Sequence, residues 1–318
     1  MLRTPLCDLL GIEYPIMLAG MGGVSYSAVT AAVSAAGGFG CLGAAIMSHD
    51  EMKREIAAVR AATSKPFGVD LLTASPRDLV AMVETICESG ARAFVAGLGV
   101  PAQVVDLCHR HGLLVVNMCG KVEHAVRAVD AGCDIVVAQG TEAGGHTGTI
   151  ATMPLVPLIV DAVKVPVVAA GGIFDGRGLV AALALGAQGV WMGTRFIAST
   201  EARAHPDFKD RIVAIDETGT VITRCYSGKT MRAIRTRYTD QWEARRDEIQ
   251  PFPMQAARAT ADGVWHIGAG PEAGFDVERD CMPTGQSAGG IASVEPCREI
   301  VASIVAEAES VLRGLPRP

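Results

Sequence analysis

The stretch DAGCDIVVAQG, residues 130–140, runs from a helical end through a glycine into an unbroken apolar run and leaves through a second glycine. Glycine just past a helix is the usual left-handed cap. A short apolar run rich in Val, Ile or Phe reads as a strand buried on both faces. The same form recurs in SAAGGFGCLGAA (34–45), ESGARAFVAGLG (88–99) and ALGAQGVWMGT (184–194). The repeated unit is helix, cap, buried strand, loop. Eight such strands fall near residues 15–19, 39–43, 67–72, 93–97, 113–117, 134–139, 166–170 and 189–193. Helical patterns lie between them, as in SPRDLVAMVETICESG (75–90), where Ser75 before Pro76 makes a good helix start, and GRGLVAALALG (176–186). Strict alternation predicts parallel strands joined by crossover helices. Eight of them favour an α/β fold of the closed (β/α)8 TIM barrel kind, with an open doubly wound sheet as the alternative.

The 318 residues are 49% apolar, enough for a large buried core. Barrels of this class reach that length as one unit. A net charge of −6 gives no basic footprint for nucleic acid. The opening MLRTPLCDLLGIEYP lacks the apolar core of a secretion signal, and no apolar run approaches a membrane span. The nine cysteines are odd in number and form no C-x-x-C pair. Free thiols in a reducing cytoplasm are the plain reading, with Cys119 and Cys133 in the core.

The repeat stops after WMGTRF (191–196). The division expected is a barrel over residues 1–200, a small helical lid subdomain over 201–280 inserted after the eighth strand, and a C-terminal motif and helix over 281–318. In the insert, GKTMRAIRTRYTDQWEARRDEI (228–249) reads as one or two helices and ATADGVWHIGAGPEAGF (259–275) as loop. Ile300, Val301, Ile304, Val305, Ala308, Val311 and Leu312 form a helical stripe expected to pack back on the barrel.

Chemistry in such a barrel sits at the C-terminal strand ends, and the loops after the seventh and eighth strands are its recurrent phosphate site. AAGGIFDGRG (169–178) puts Gly171 and Gly172 at the first of these; MGTRF (192–196) puts Gly193 and Thr194 at the second. Exposed N–H groups there bind phosphate, against the plainer reading that the glycines only make turns. LAGMGGVS (18–25) lacks the spacing of a dinucleotide fingerprint, so a phosphate-bearing cofactor across the barrel mouth is favoured, approached by the backbone of Met21 and Gly22. VVAQGTEAGGHTGTIATMPL (136–155) places His146 among glycines at the end of the sixth strand. The bland reading is a surface histidine, as for His49, His109, His111, His124 and His205; the cleared space around His146 favours a proton-transferring one.

These motifs resemble the nitronate monooxygenase family, formerly 2-nitropropane dioxygenases. The carriers are PIMLAGMGGVS (15–25), GTEAGGHTG (140–148), PVVAAGGIFDGRG (166–178), GVWMGTRF (189–196) and GQSAGG (285–290). The likeness covers most of the chain and is weakest over 210–280. The same set is similar to FMN-dependent enoyl-acyl-carrier-protein reductases and to NAD(P)H:quinone reductases, which carry a stretch like GTRFIASTEARAHPDFK (193–209). The resemblance implies FMN, its phosphate at Gly171, Gly172, Gly193 and Thr194, and its ring near Met21, Gly22, Asp70, Lys121, Gln139, Gly145 and Gln286. It implies His146 as the catalytic histidine. One departure stands out: the family commonly reads FGVN where this chain reads FGVD, ending in Asp70. Ionised aspartate only accepts hydrogen bonds, and a carboxylate beside the ring would disfavour an anionic reduced flavin.

Three functions follow as expectations. The leading one is an FMN-dependent nitronate monooxygenase, a cytoplasmic enzyme taking a small-molecule substrate and O2 and giving a carbonyl compound and nitrite. The second is a flavin reductase, with NADH or NADPH as reductant and an enoyl thioester or quinone as acceptor. There Arg203, Arg232 and Arg235 would meet a phosphopantetheine or coenzyme A tail, or merely form surface charge. The third is a non-catalytic flavin-binding barrel. No membrane partner is expected, and a homodimer is left open.

Overall fold

The structure is a computed structural model and describes residues 2–73, 78–97, 99–267, 270 and 274–316. The helix start assigned to Ser75 and Pro76 lies outside the described residues, as does part of the loop over 259–275. Eleven strands are described in chain order. They are β1 Ile16–Leu18, β2 Gly40–Gly43, β3 Phe67–Leu72, β4 Ala93–Gly97, β5 Leu114–Cys119, β6 Ile135–Gln139, β7 Gly145–His146, β8 Val167–Ala170, β9 Gly189–Met192, β10 Thr220–Thr223 and β11 Met231–Ile234.

Eight of them form one parallel sheet in the order β1-β9-β8-β6-β5-β4-β3-β2. It closes on itself: Leu18 N–H donates to Phe39 O at 2.9 Å, and Phe39 N–H donates to Ile16 O at 2.9 Å. The (β/α)8 barrel expected from the repeat is therefore present, and the open sheet is not. The apolar runs are explained by burial on two faces. Cys41, Val95, Val116, Val137, Val168 and Trp191 fill the barrel interior. Their neighbours Leu42, Phe94, Val115, Val136, Val167 and Val190 pack against the surrounding helices. With a side-chain period of two, neither face tolerates polar alternation.

The helix Pro5–Leu10 was not foreseen. It buries Leu6, Cys7 and Leu10 in the interior cluster. Thr4 Oγ1 donates to Gln188 O at 2.6 Å, and Arg92 Nη2 donates to Leu9 O at 2.7 Å. Gln188 and Arg92 sit just before β9 and β4, so this helix plugs the N-terminal end of the barrel and leaves the other end as the mouth.

The segment after β9 holds helices Pro206–Ala214, Arg237–Glu243 and Met254–Ala261. It also holds a hairpin, because β10 and β11 pair antiparallel. Sequence reading took 231–234 as helix. All four residues are buried, and β11 is held by neighbours on both sides, a tertiary pairing that overrides local pattern. Its second partner is β7, with Met231 opposite His146 and Arg232 opposite Gly145. The insert has its own small core around Tyr226, Tyr238 and Trp242. The C-terminal helix Cys297–Gly314 lies on the helix Gly176–Ala184, as its apolar stripe predicted.

That last packing depends on one absent side chain. A Cβ at Gly176 would overlap the backbone of Ile304 and Ala308, and Gly176 N–H donates to the Glu307 carboxylate at 2.8 Å. Gly176→Ala is expected to lower stability by about 1–3 kcal/mol through overpacking. Gly314→Ala, whose Cβ meets nothing within 4 Å, is expected to leave it unchanged. Chemical denaturation checks both, and equal midpoints for the two variants would refute the packing.

Candidate active site at the barrel mouth

The C-terminal strand ends bring the glycine motifs together. After β1 the chain turns tightly: Met21 N–H donates to Ser25 Oγ at 2.6 Å, and Ser25 N–H returns to Met21 O at 3.0 Å. Beside this turn a Cβ on Gly43 would overlap the Met21 backbone, and one on Gly20 would overlap the side chain of Asp70. Gly22 and Met21 are half-buried at the mouth, and Met21 Sδ faces Gly193.

Gly171 and Gly172 follow β8 with φ of 107° and 73°, conformations that only glycine adopts without strain. Their N–H groups have no acceptor among the described residues. The Thr152 hydroxyl donates to Gly171 O at 3.0 Å or to Glu142 Oε2 at 2.9 Å. Glu142 also accepts Thr152 N–H at 3.0 Å, and its own carbonyl accepts Gln286 N–H at 2.9 Å. Gly285 N–H donates to Thr194 Oγ1 at 2.9 Å. Gly171, Gly172, Gly193, Thr194 and Gln286, which span more than a hundred residues of sequence, thus meet on one side of the mouth.

On another side stands His146. Gln139 Nε2 donates to its carbonyl at 2.7 Å, which fixes the backbone. Its ring Nε2 lies 2.9 Å from the hydroxyl of Ser227, a residue only 1% exposed in the hairpin loop. Ser227 Oγ is also 3.2 Å from both N and O of Lys229. It accepts the Lys229 N–H and keeps one proton to offer to Lys229 O or to the imidazole. Nδ1 of His146 has no partner among the described residues. Burial first, then the Lys229 charge, hold the imidazole below its ordinary value, so it is neutral at pH 7.

A cavity of about 630 Å³ opens beside the ring, and solvent reaches the ring through it. Asn117, Lys121, Arg127, Gln139, His146 and Lys229 are among its walls, which contain three cations and no carboxylate. Lys121 stands exposed at the position before the helix Val122–Asp130. Cys119 also lines the cavity. Burial pushes its thiol up to about 12, so it is no nucleophile at neutral pH. No cluster of His, Cys, Asp and Glu able to hold a metal exists among the described residues, and none of their helices is long and apolar enough to cross a membrane.

Asp70 is the single polar residue of β3 and stands half-buried toward the mouth. Burial pushes its carboxyl up to about 8. Contrary to the sequence expectation, it is therefore mostly a neutral acid at pH 7 and can donate as well as accept. The arginines suggested for a substrate tail are placed elsewhere. Arg232 is buried and donates to Thr141 O at 2.9 Å, Arg203 lies 4.2 Å over the Tyr26 ring, and Arg235 stands 3.9 Å from Asp240. Sequence reading also missed Asn117, Ser227 and Lys229. For Asn117 the polar residue inside an apolar strand was a usable signal. Ser227 and Lys229 carry none, since a non-local hairpin delivers them.

The nitronate monooxygenase family model matches residues 3–81 and 73–307. Among curated proteins, the chain is similar to the (3aS,4S,5R,7aS)-5-hydroxy-7a-methyl-1-oxo-octahydro-1H-indene-4-carboxyl-CoA dehydrogenase of Mycobacterium tuberculosis, at 40% identity over 76% of this chain and 69% of that protein. Among solved structures it is similar to FabK from Thermotoga maritima, with TM-score 0.90, 36% identity and 98% of each chain covered. It is also similar to the nitroalkane oxidase of Streptomyces ansochromogenes, with TM-score 0.87, 27% identity, and 98% and 99% of the two chains covered.

The Lys229 contribution to His146 is directly measurable. Lys229→Met keeps an apolar stem against Phe252, whose ring lies 4.3 Å from the ammonium, and removes the charge. The His146 titration, followed by ring-proton NMR, is expected to move upward toward 6.5 without reaching it, because burial remains. A downward move would refute the electrostatic assignment.

Proposed function

The chain belongs to the nitronate monooxygenase family and is an oxidoreductase, and from that premise we propose that it uses FMN to oxidise alkyl nitronates and nitroalkanes with O2 to a carbonyl compound and nitrite. The observation that carries this reading is His146: a neutral imidazole with one nitrogen held by Ser227, facing a cavity whose walls include Asn117, Lys121, Gln139 and Lys229.

The residues present fit FMN. The unused N–H groups of Gly171 and Gly172, with Gly193 and Thr194 beside them, suit a phosphate. Met21, Gly22, Asp70, Lys121, Gln139, Gly145 and Gln286 would surround the ring. Asp70 in particular offers a deep polar group that no described residue satisfies. When bound, FMN supplies the electron acceptor and passes electrons on to O2.

The protein's own part is binding and proton transfer. A nitroalkane in the cavity would give its α-proton to His146 Nδ1, the nitrogen left open by the Ser227 contact. The C–H bond breaks, its electron pair stays on the substrate as the nitronate, and His146 becomes the imidazolium. Ser227 suits both states, because its own proton can point to Lys229 O while Nε2–H donates to Oγ. Lys121 and Lys229, with Arg127 paired to Glu123 beside them, give the cavity a positive potential matched to the nitronate anion. A second reading draws support from the same charge and from the similarity to a coenzyme A ester dehydrogenase: NADH or NADPH as reductant, with a thioester or quinone as acceptor.

An anaerobic absorbance titration separates them. Bleaching of the flavin by an alkyl nitronate, with indifference to NADH and NADPH, is the expected result; bleaching by a nicotinamide at catalytic speed would move the assignment to the reductase. His146→Asn is expected to lower kcat/KM for neutral nitroalkane by about 10²–10⁴ and to affect preformed nitronate far less. Unchanged turnover of both substrates would remove His146 from the chemistry. Ser227→Ala is expected to lower the neutral-substrate rate by about 3–10-fold, the equivalent of one hydrogen bond. It is also expected to shift the rising limb of the pH profile.

A further inference from the structure

Asp70 is placed as few carboxyls are. Its neighbours are Gly20 after β1, Gly43 in register on β2 and Val95 in register on β4. Its carbonyl is used by Ala44 N–H at 2.9 Å. Its side chain accepts no hydrogen bond and forms no ion pair among the described residues. The titratable group facing it is the Cys41 thiol on β2, which burial holds well above its ordinary value and hence neutral. No lysine, arginine or histidine offsets the cost of a charge there. A carboxylate held partly out of water without a partner is disfavoured, whereas a neutral acid needs only ordinary hydrogen bonds.

We propose that Asp70 holds the flavin ring as a carboxylic acid, its O–H donating to a ring acceptor and its carbonyl oxygen accepting a ring N–H, so that the protonated carboxyl retains the cofactor and the ionised one releases it. This rests on the FMN reading above. It makes cofactor occupancy, as distinct from catalysis, sensitive to mildly alkaline pH. The sign follows from linkage. The complex keeps the proton, and burial puts the loss of that proton in the free protein near pH 8. Affinity is therefore full below that pH and falls above it, by up to about tenfold per pH unit. The ionised form also sets a carboxylate oxygen against the lone pairs of the ring acceptor.

The test is FMN binding by the apoprotein, followed by quenching of flavin fluorescence from about pH 6.5 to about pH 9.5, for the wild type and Asp70→Asn. An amide both donates and accepts but has no proton to lose in this range. The wild-type Kd is expected to stay flat to about pH 8 and then rise about tenfold or more by the upper limit, while the variant stays flat throughout. Parallel curves for the two proteins, or wild-type affinity that grows with pH, would overturn the proposal. Failure of the wild type to bind FMN at any pH would overturn the cofactor reading and this proposal with it. A second measurement needs no variant: infrared spectra of the FMN-loaded wild type near neutral pH. A protonated-carboxyl C=O band that disappears together with bound flavin as the pH rises is expected. Its absence from the neutral holoenzyme would count decisively against the proposal.

Discussion

Every strand of this barrel is buried on both faces, and the rest of the molecule follows from that constraint. Val137 packs inward among interior side chains, and its neighbour Val136 packs outward against helices. Polar side chains are rare along the strands, Asp70 in β3 and Asn117 in β5 being exceptions, and the rest of the polar chemistry is pushed to the strand ends. One end is stoppered by the helix Pro5–Leu10. The other is where Asp70, Asn117, Gln139 and the glycine loops collect. A barrel built from such strands can present a site only at its mouth.

The mouth by itself is incomplete. β7 is two residues long and gains an ordered edge only by pairing with β11. That pairing sets Met231 opposite His146 and brings the loop before β11 over the imidazole, where Ser227 reaches Nε2. The inserted segment therefore takes part in the site. It fixes the ring by one hydrogen bond and, through Lys229, adds to the lowering that burial imposes on the imidazole. A histidine in a glycine-rich stretch has wide conformational freedom to lose; the hairpin removes that freedom before any substrate arrives.

This division explains what the sequence could reveal. The barrel was legible because its signal is local and repeated: a cap glycine, an apolar run, a second glycine, eight times. Gly171, Gly172, Gly193 and Thr194 were legible because their register against the seventh and eighth barrel strands is fixed by the same repeat. His146 stood out against its glycines. The plug helix was hidden, since PLCDLL is short and apolar and its partners are strand starts far along the chain. β11 was hidden by its neighbours in sequence: a run of arginines and a true helix, Arg237–Glu243, follow within a few residues and carry the helical pattern backward over 231–234. Ser227 and Lys229 inherit that invisibility, because their value lies wholly in what β11 pairs with.

Charge at the site is decided by depth. Lys121 stands exposed at the rim, whereas desolvation raises the Asp70 carboxyl and, together with the Lys229 charge, lowers the His146 imidazole. Reading FGVD as an ionised carboxylate at the ring implied a site hostile to negative charge. With Asp70 neutral, the sign is reversed: the cationic side chains around the cavity are Lys121, Lys229 and Arg127, the last paired with Glu123 at 3.5 Å, and none of its walls is acidic. At an effective dielectric constant near 20, a cation about 8 Å away stabilises an anion by about 2 kcal/mol. Several such cations acting together favour a nitronate before oxidation and an anionic reduced cofactor after it. The aspartate that marks the chain's departure from FGVN is compatible with an oxidising site, because desolvation keeps its carboxyl largely protonated at neutral pH.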